Sequence, residues 1–115
     1  MNALFICSRN RLRSPTAERM FFGKLGLEVR SAGTERDADN PFSSEDIDWA
    51  EVIFVMESRH KKRLQQMFGA LLAHKRFVLG ISDDYEFMQP ELVTMLTLKV
   101  TLYIEASIHA ATVTA

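Results

Sequence analysis

Ala3-Leu4-Phe5-Ile6-Cys7-Ser8-Arg9-Asn10-Arg11-Leu12-Arg13-Ser14-Pro15 reads as a strand, a tight loop and the first turn of a helix. Four consecutive apolar residues ending in a polar loop fit a strand buried on both faces. Ser14-Pro15 fits an N-cap followed by proline at the first helical position, where the missing N–H costs nothing. A strand-to-helix loop of this kind gathers successive backbone N–H groups and the positive end of a helix dipole into one concavity. That concavity suits a dianion the size of phosphate, and a phosphate or sulfate ion is the expected occupant. Cys7, the only cysteine, lies at its floor, where the dipole and the neighbouring arginines favour thiolate over thiol. Arg13, in the spacing Cys-x5-Arg, brings a planar fork able to hold two phosphoryl oxygens at once.

Outward from this loop, apolar runs alternate with helix-period segments, the pattern of a parallel sheet with crossover helices. Strands are expected near 3–7, 27–31, 51–55 and 76–80. A helix over about 15–24 places Ala17, Met20, Phe21 and Leu25 on one face. A second, over about 59–72 after a Ser58 cap, aligns Leu64, Met67, Phe68, Leu71 and Leu72. A third starts at Pro90 and turns Leu92, Val93, Leu96, Val100, and with them Tyr103 and Ile104, inward. The polar segment 35–44 reads as a loop or irregular crossover, and the tail 106–115 is left unassigned. The fold class is thus α/β, a three-layer fold with a central four-stranded parallel sheet flanked by helices, in a single domain over 1–115. Right-handed crossovers bring the Cys7 loop and the loop at 81–87 to the carboxyl edge of that sheet, where such folds bind ligands.

Composition narrows the partners. Hydrophobic residues make up 47% of the 115 and charged residues 25%, with a formal net charge of −1. The near-cancellation argues against nucleic acid and against acidic lipid as partners. The run Arg59-His60-Lys61-Lys62-Arg63 reads as a solvated helix face. No apolar stretch approaches the length needed to span a bilayer, and a lone cysteine forms no internal disulfide. With only a short apolar segment before its arginines, the N-terminus does not resemble a signal peptide, so the expected location is the cytoplasm. His60, His74 and His109 have no ligand spacing with Cys7, so neither a metal site nor a cofactor is expected.

The stretch from Leu4-Phe5-Ile6-Cys7 to Arg13-Ser14-Pro15-Thr16-Ala17-Glu18 resembles the signature of the low-molecular-weight protein tyrosine phosphatases. Ser31-Ala32-Gly33-Thr34, the segment from Asp48 to Glu57 with its Met-acidic ending, and Asp83-Asp84-Tyr85 are similar to further segments of that family in the same order. The resemblance implies a metal-free phosphomonoester hydrolase acting on a phosphorylated protein or a small aryl phosphate. Cys7 is then the nucleophile, Arg13 the phosphoryl clamp and Asp83 the general acid. Ser8, Arg9, Asn10, Arg11, Leu12, Arg13 and Ser14 form the phosphate cradle. Ser14 also hydrogen-bonds the Cys7 thiolate, Asn10 braces the loop in a left-handed backbone, and Ser31 joins the same network. Tyr85 is either core filling or the aromatic wall beside a substrate ring.

The chain departs from the family pattern at several points. Arg9 replaces the usual glycine and Leu12 a frequent second cysteine. Asp84 stands in the proline slot, adding a charge beside Asp83 and leaving their roles open to exchange. A histidine the family often brings to the loop has no counterpart near 37–41. Two other activities therefore stand beside hydrolysis: arsenate reduction with an external thiol, since Cys7 has no partner cysteine, and phospho-binding without catalysis.

Overall fold

A computed structural model describes residues 1–69, 76–82 and 84–114. The elements run β1 (Asn2–Cys7), α1 (Arg13–Phe21), β2 (Glu28–Gly33), α2 (Ser44–Trp49), β3 (Val52–Val55), α3 (Ser58–Phe68), β4 (Arg76–Val78) and α4 (Pro90–Thr114). All strand pairings are parallel, in the order β2-β1-β3-β4. The expected α/β architecture, a parallel sheet flanked by helices, is the one adopted.

The unbroken apolar run of β1 follows from its central place in the sheet. Ala3, Phe5 and Cys7 join a core with Ala17 and Phe21 of α1 and with Leu92, Leu96, Val100 and Ile104 of α4. Leu4 and Ile6 join a second core with Ile47 of α2 and Leu64 of α3. Alternate side chains thus serve opposite faces, and neither face is left for water. Phe5 stacks on Phe21 and Phe54 with ring centroids 5.8 and 5.2 Å apart, tying the sheet to α1.

Several local expectations are corrected. The N-cap of α1 is Leu12 and no side chain caps it. Ser14 instead lies inside the first turn, its hydroxyl drawn into the loop below, so Pro15 sits two residues into the helix, where its N–H is still not needed. The N-cap of α3 is Glu57 rather than Ser58. Leu25 and Met67 are exposed, at 47% and 43%, while Leu27 takes the buried place after α1. Leu71 and Leu72 lie outside the described residues. α2 starts at the last residue of the segment read as a loop and covers positions for which no helix is expected from sequence, with Ser43 and Asp46 forming its capping box. The tail, left unassigned from sequence, continues α4 to Thr114.

Gly33 ends β2 against the Cys7 loop. A Cβ there would lie 2.6 Å from the Ala38 Cβ and 2.7 Å from the Ser8 carbonyl oxygen, so the position tolerates no side chain. Gly33→Ala is expected to destabilise the protein by about 1–3 kcal/mol through overpacking. Urea denaturation should show a lower midpoint with the slope unchanged, and an unchanged midpoint would mean that the loop and the 34–38 turn separate freely.

Candidate active site

The loop from Ser8 to Leu12 leaves the carboxyl end of β1 and is framed by backbone. Thr34, Glu35 and Asp39 donate their N–H groups to the carbonyls of Cys7, Ser8 and Arg9 at 3.0, 2.9 and 3.0 Å. With the carbonyls so engaged, no backbone N–H from Ser8 to Leu12 has an acceptor among the described residues. Unanswered donors in a concave loop are the signature of an anion site. Asn10 provides the turn, with φ of 57°, a conformation that asparagine adopts at little cost. Arg9, in the place of a glycine, does not take a positive φ. Its side chain reaches outward to Asp37 at 3.8 Å, and Arg11 pairs with Asp39 at 3.2 Å. Both are exposed, so these pairs clasp the rim and add little stability.

Behind the loop, Ser14 Oγ lies 3.0 Å from Cys7 Sγ. It also donates to Asn10 Oδ1 at 2.9 Å. One hydroxyl carries one proton. While Cys7 is a thiol it donates to Ser14, which donates onward to Asn10; once Cys7 is a thiolate, the serine proton turns to sulfur. The Ser14 hydroxyl, which caps no helix here, is thus within hydrogen-bond reach of both the only cysteine and Asn10.

Arg13 is 4% exposed. Its Nη1 donates to Glu57 Oε2 at 3.0 Å and to the Ile81 carbonyl at 2.7 Å. Nε and Nη2 have no partner among the described residues, which leaves one edge of the guanidinium for an oxyanion. Glu57 Oε2 also accepts from Arg59, from Nε at 2.8 Å and from Nη2 at 2.7 Å. Burial opposes the Glu57 charge, but the hydrogen bonds and charges of Arg13 and Arg59 outweigh it and hold the carboxyl below its ordinary 4.5.

His60 is the residue that sequence reading missed. Placed in a basic run, it is nonetheless 1% exposed. The Glu57 N–H donates to its Nδ1 at 3.1 Å, which keeps the ring proton on Nε2, and Nε2 lies 2.9 Å from Ser8 Oγ. A histidine from α3 thereby supports the loop that no histidine near 37–41 supplies. The signal in sequence was its place three residues after Glu57, at the third helical position.

Cys7, Ser8, Arg9, Arg11, Leu12 and Arg13 line a cleft of about 640 Å³ together with Glu35 and Arg59. Asn10 and Ser14 stand buried beside it. Ser31 does not join the Cys7 network: its hydroxyl bonds Glu18 of α1, and its carbonyl accepts from Asn40 at 2.6 Å. Asp83 lies outside the described residues. Asp84 is exposed and accepts from Ser82 at 3.0 Å. Tyr85 is half-buried, packed on the α1–α4 side of the sheet. Neither Asp84 nor Tyr85 lines the cleft.

No protein-family model and no curated protein matches the chain. Solved structures do. The arginine phosphatase YwlE of Geobacillus stearothermophilus is 26% identical, with 94% of this chain and 96% of that one covered and a TM-score of 0.68. A low-molecular-weight protein tyrosine phosphatase of Bacillus subtilis is 23% identical, with 92% and 98% covered and a TM-score of 0.70. The tyrosine phosphatase Wzb of Escherichia coli K30, solved in complex with phosphate, is 20% identical, with 91% and 96% covered and a TM-score of 0.71. The chain therefore adopts the fold that these low-molecular-weight phosphatases share.

The depressed Glu57 carboxyl makes a stability prediction. A carboxylate whose folded pKa is lowered contributes stability above its unfolded value, 4.5, and loses it as pH falls through the lower folded value. Glu57→Gln should therefore be less stable than wild type at neutral pH, with the gap closing as pH falls below 4.5. Urea midpoints of both proteins across that range check it, and a gap that stays constant would remove Glu57 as the ionised partner of Arg13.

Proposed function

We propose that the chain is a cysteine-dependent phosphomonoester hydrolase working through a phosphocysteine. The observation that carries this is the approach of Ser14 Oγ to within 3.0 Å of Cys7 Sγ, beneath a loop whose N–H groups lack acceptors. The Cys7 thiolate attacks phosphorus in line, forming the S–P bond as the bond to the leaving oxygen breaks. The loop N–H groups and the open edge of Arg13 bind the equatorial oxygens as charge shifts onto them. Asp83, by its place in Asp83-Asp84-Tyr85, gives its proton to the leaving oxygen. Water then attacks phosphorus and yields a proton to the Asp83 carboxylate. The sulfur leaves as a thiolate that accepts the Ser14 hydrogen bond, and phosphate is released.

The substrate is a phosphorylated protein or small aryl phosphate, and phosphate or sulfate binds the loop. We infer a cytoplasmic setting, where a lone cysteine stays reduced. Among the described residues no helix is long and apolar enough to cross a membrane, and no group of three or more His, Cys, Asp or Glu side chains is placed to hold a metal. The non-catalytic reading rests on Arg9 in place of glycine and on the missing histidine near 37–41, and neither carries it. His60 reaches Ser8 of the loop from α3. Arg9, with an ordinary φ and a side chain turned to Asp37, fits without strain.

Hydrolysis of p-nitrophenyl phosphate in the presence of a chelator tests the proposal. Wild type should turn over, Cys7→Ser should not, and Arg13→Lys should lose about 10²-fold or more of kcat because the fork is gone. An active Cys7→Ser protein would end the nucleophile assignment.

The two aspartates are separated by leaving-group dependence. Asp83→Asn should slow a phosphotyrosine peptide by about 10²–10⁴ and an activated aryl phosphate much less. Asp84→Asn should do neither to that extent. The large loss appearing in Asp84→Asn instead would exchange their roles.

A further inference from the structure

A second hollow of about 240 Å³ opens beside the cleft and shares Ser8, Glu35 and Arg59 with it. Thr34, His60, Lys62, Arg63 and Gln66 complete its lining. The cations around the two hollows divide sharply by partner. Arg9 pairs with Asp37, Arg11 with Asp39, and both Arg13 and Arg59 with Glu57. Among the described residues that line the two hollows, Lys62 and Arg63 are thus the cations with no carboxylate, and both belong to the second hollow, while Arg13 and Arg59 share the one carboxylate of Glu57. The net charge of the whole chain is −1, so this is a local feature and not part of a general basic character.

We propose that this hollow is a subsite for carboxylates flanking the phosphorylated residue, which makes the substrate an acidic phosphoprotein segment. The inference rests on the phosphatase reading above and extends it to substrate choice. Lys62 and Arg63 are exposed on successive positions of α3. Long, solvated side chains of this kind suit the carboxylates of an extended peptide, whereas a small bisphosphate is usually gripped by buried donors. Glu35 lines both hollows and opposes carboxylates there, so the attraction comes from Lys62 and Arg63 on the α3 wall. Asp37 and Asp39 are held by the loop arginines and line neither hollow. The charges of Lys62 and Arg63 act before and during docking, so the gain falls on KM more than on kcat.

The test compares two phosphotyrosine peptides of equal length, one with Asp and Glu flanking the phosphotyrosine and one with Ser and Gln. Wild type should favour the acidic peptide by about three- to tenfold in kcat/KM, through KM, with the ratio falling toward one as salt rises. The double variant Lys62→Gln/Arg63→Gln should bring the ratio near one at low salt, and Lys62→Glu/Arg63→Glu should reverse it. Both substitutions are on an exposed face, and circular dichroism checks that the fold persists. Binding of the same dye-labelled peptides to Cys7→Ser protein, where no turnover intervenes, reads the subsite even if wild type is inert. Inert wild type with charge-dependent binding would overturn the phosphatase reading and keep the subsite. A wild-type ratio near one, or a preference that the variants leave intact, would overturn the subsite.

Discussion

A guanidinium group taken out of water must be neutralised, and the burial of Arg13 draws a carboxylate and a carbonyl from two distant parts of the chain. Glu57 arrives from the end of β3 and the Ile81 carbonyl from the segment after β4, both to meet one nitrogen at the start of α1. From Glu57 the connection continues through its own N–H to His60, and from His60 back to Ser8 at the other end of the same loop. The cradle is therefore clamped at both ends by the first turn of α3. Loosening either contact frees the loop from one support while leaving the sheet beneath it untouched. The segment toward α4 is tied in as well, since Thr16 Oγ1 accepts from the Met88 N–H at 2.9 Å.

The departure that looks most disruptive, Arg9, is absorbed within the loop itself. Arginine in place of glycine at position 9 is accommodated because the unusual backbone falls on Asn10, one residue later. The close approach that does demand glycine is at Gly33, where a neighbouring strand end meets the loop from behind. Conformational constraint has in this sense been placed on the frame and removed from the rim.

What could be read from sequence was the chemistry carried by neighbours in the chain. The apolar run of β1, the loop after it and the spacing of Cys7 and Arg13 are local, and so they were legible. Ser14 was misread as a cap because Ser-Pro before a helix is a strong local pattern, whereas its hydroxyl answers to Asn10 and Cys7 in three dimensions. His60 was misread for the same reason: four basic neighbours imply a solvated face, and only the packing of α3 on the loop reveals that this one side chain turns inward. Ser31 was assigned by resemblance, but Glu18 of α1 is the nearer partner. The helix α2 carried its own signal in Ser43 and Asp46, hidden within a polar stretch bearing Pro41. Asp83 remains a reading of its position in the chain.

The bonds between the 34–39 turn and the loop carbonyls run from main chain to main chain. They place almost no demand on side-chain identity at positions 35, 37 and 39, each of which faces the mouth of the cleft or its arginines. Reaction geometry and surface charge are consequently separable inheritances in this molecule. Drift, or deliberate engineering, can repaint the entrance one residue at a time and redirect which macromolecule is admitted, while the catalytic floor keeps its shape.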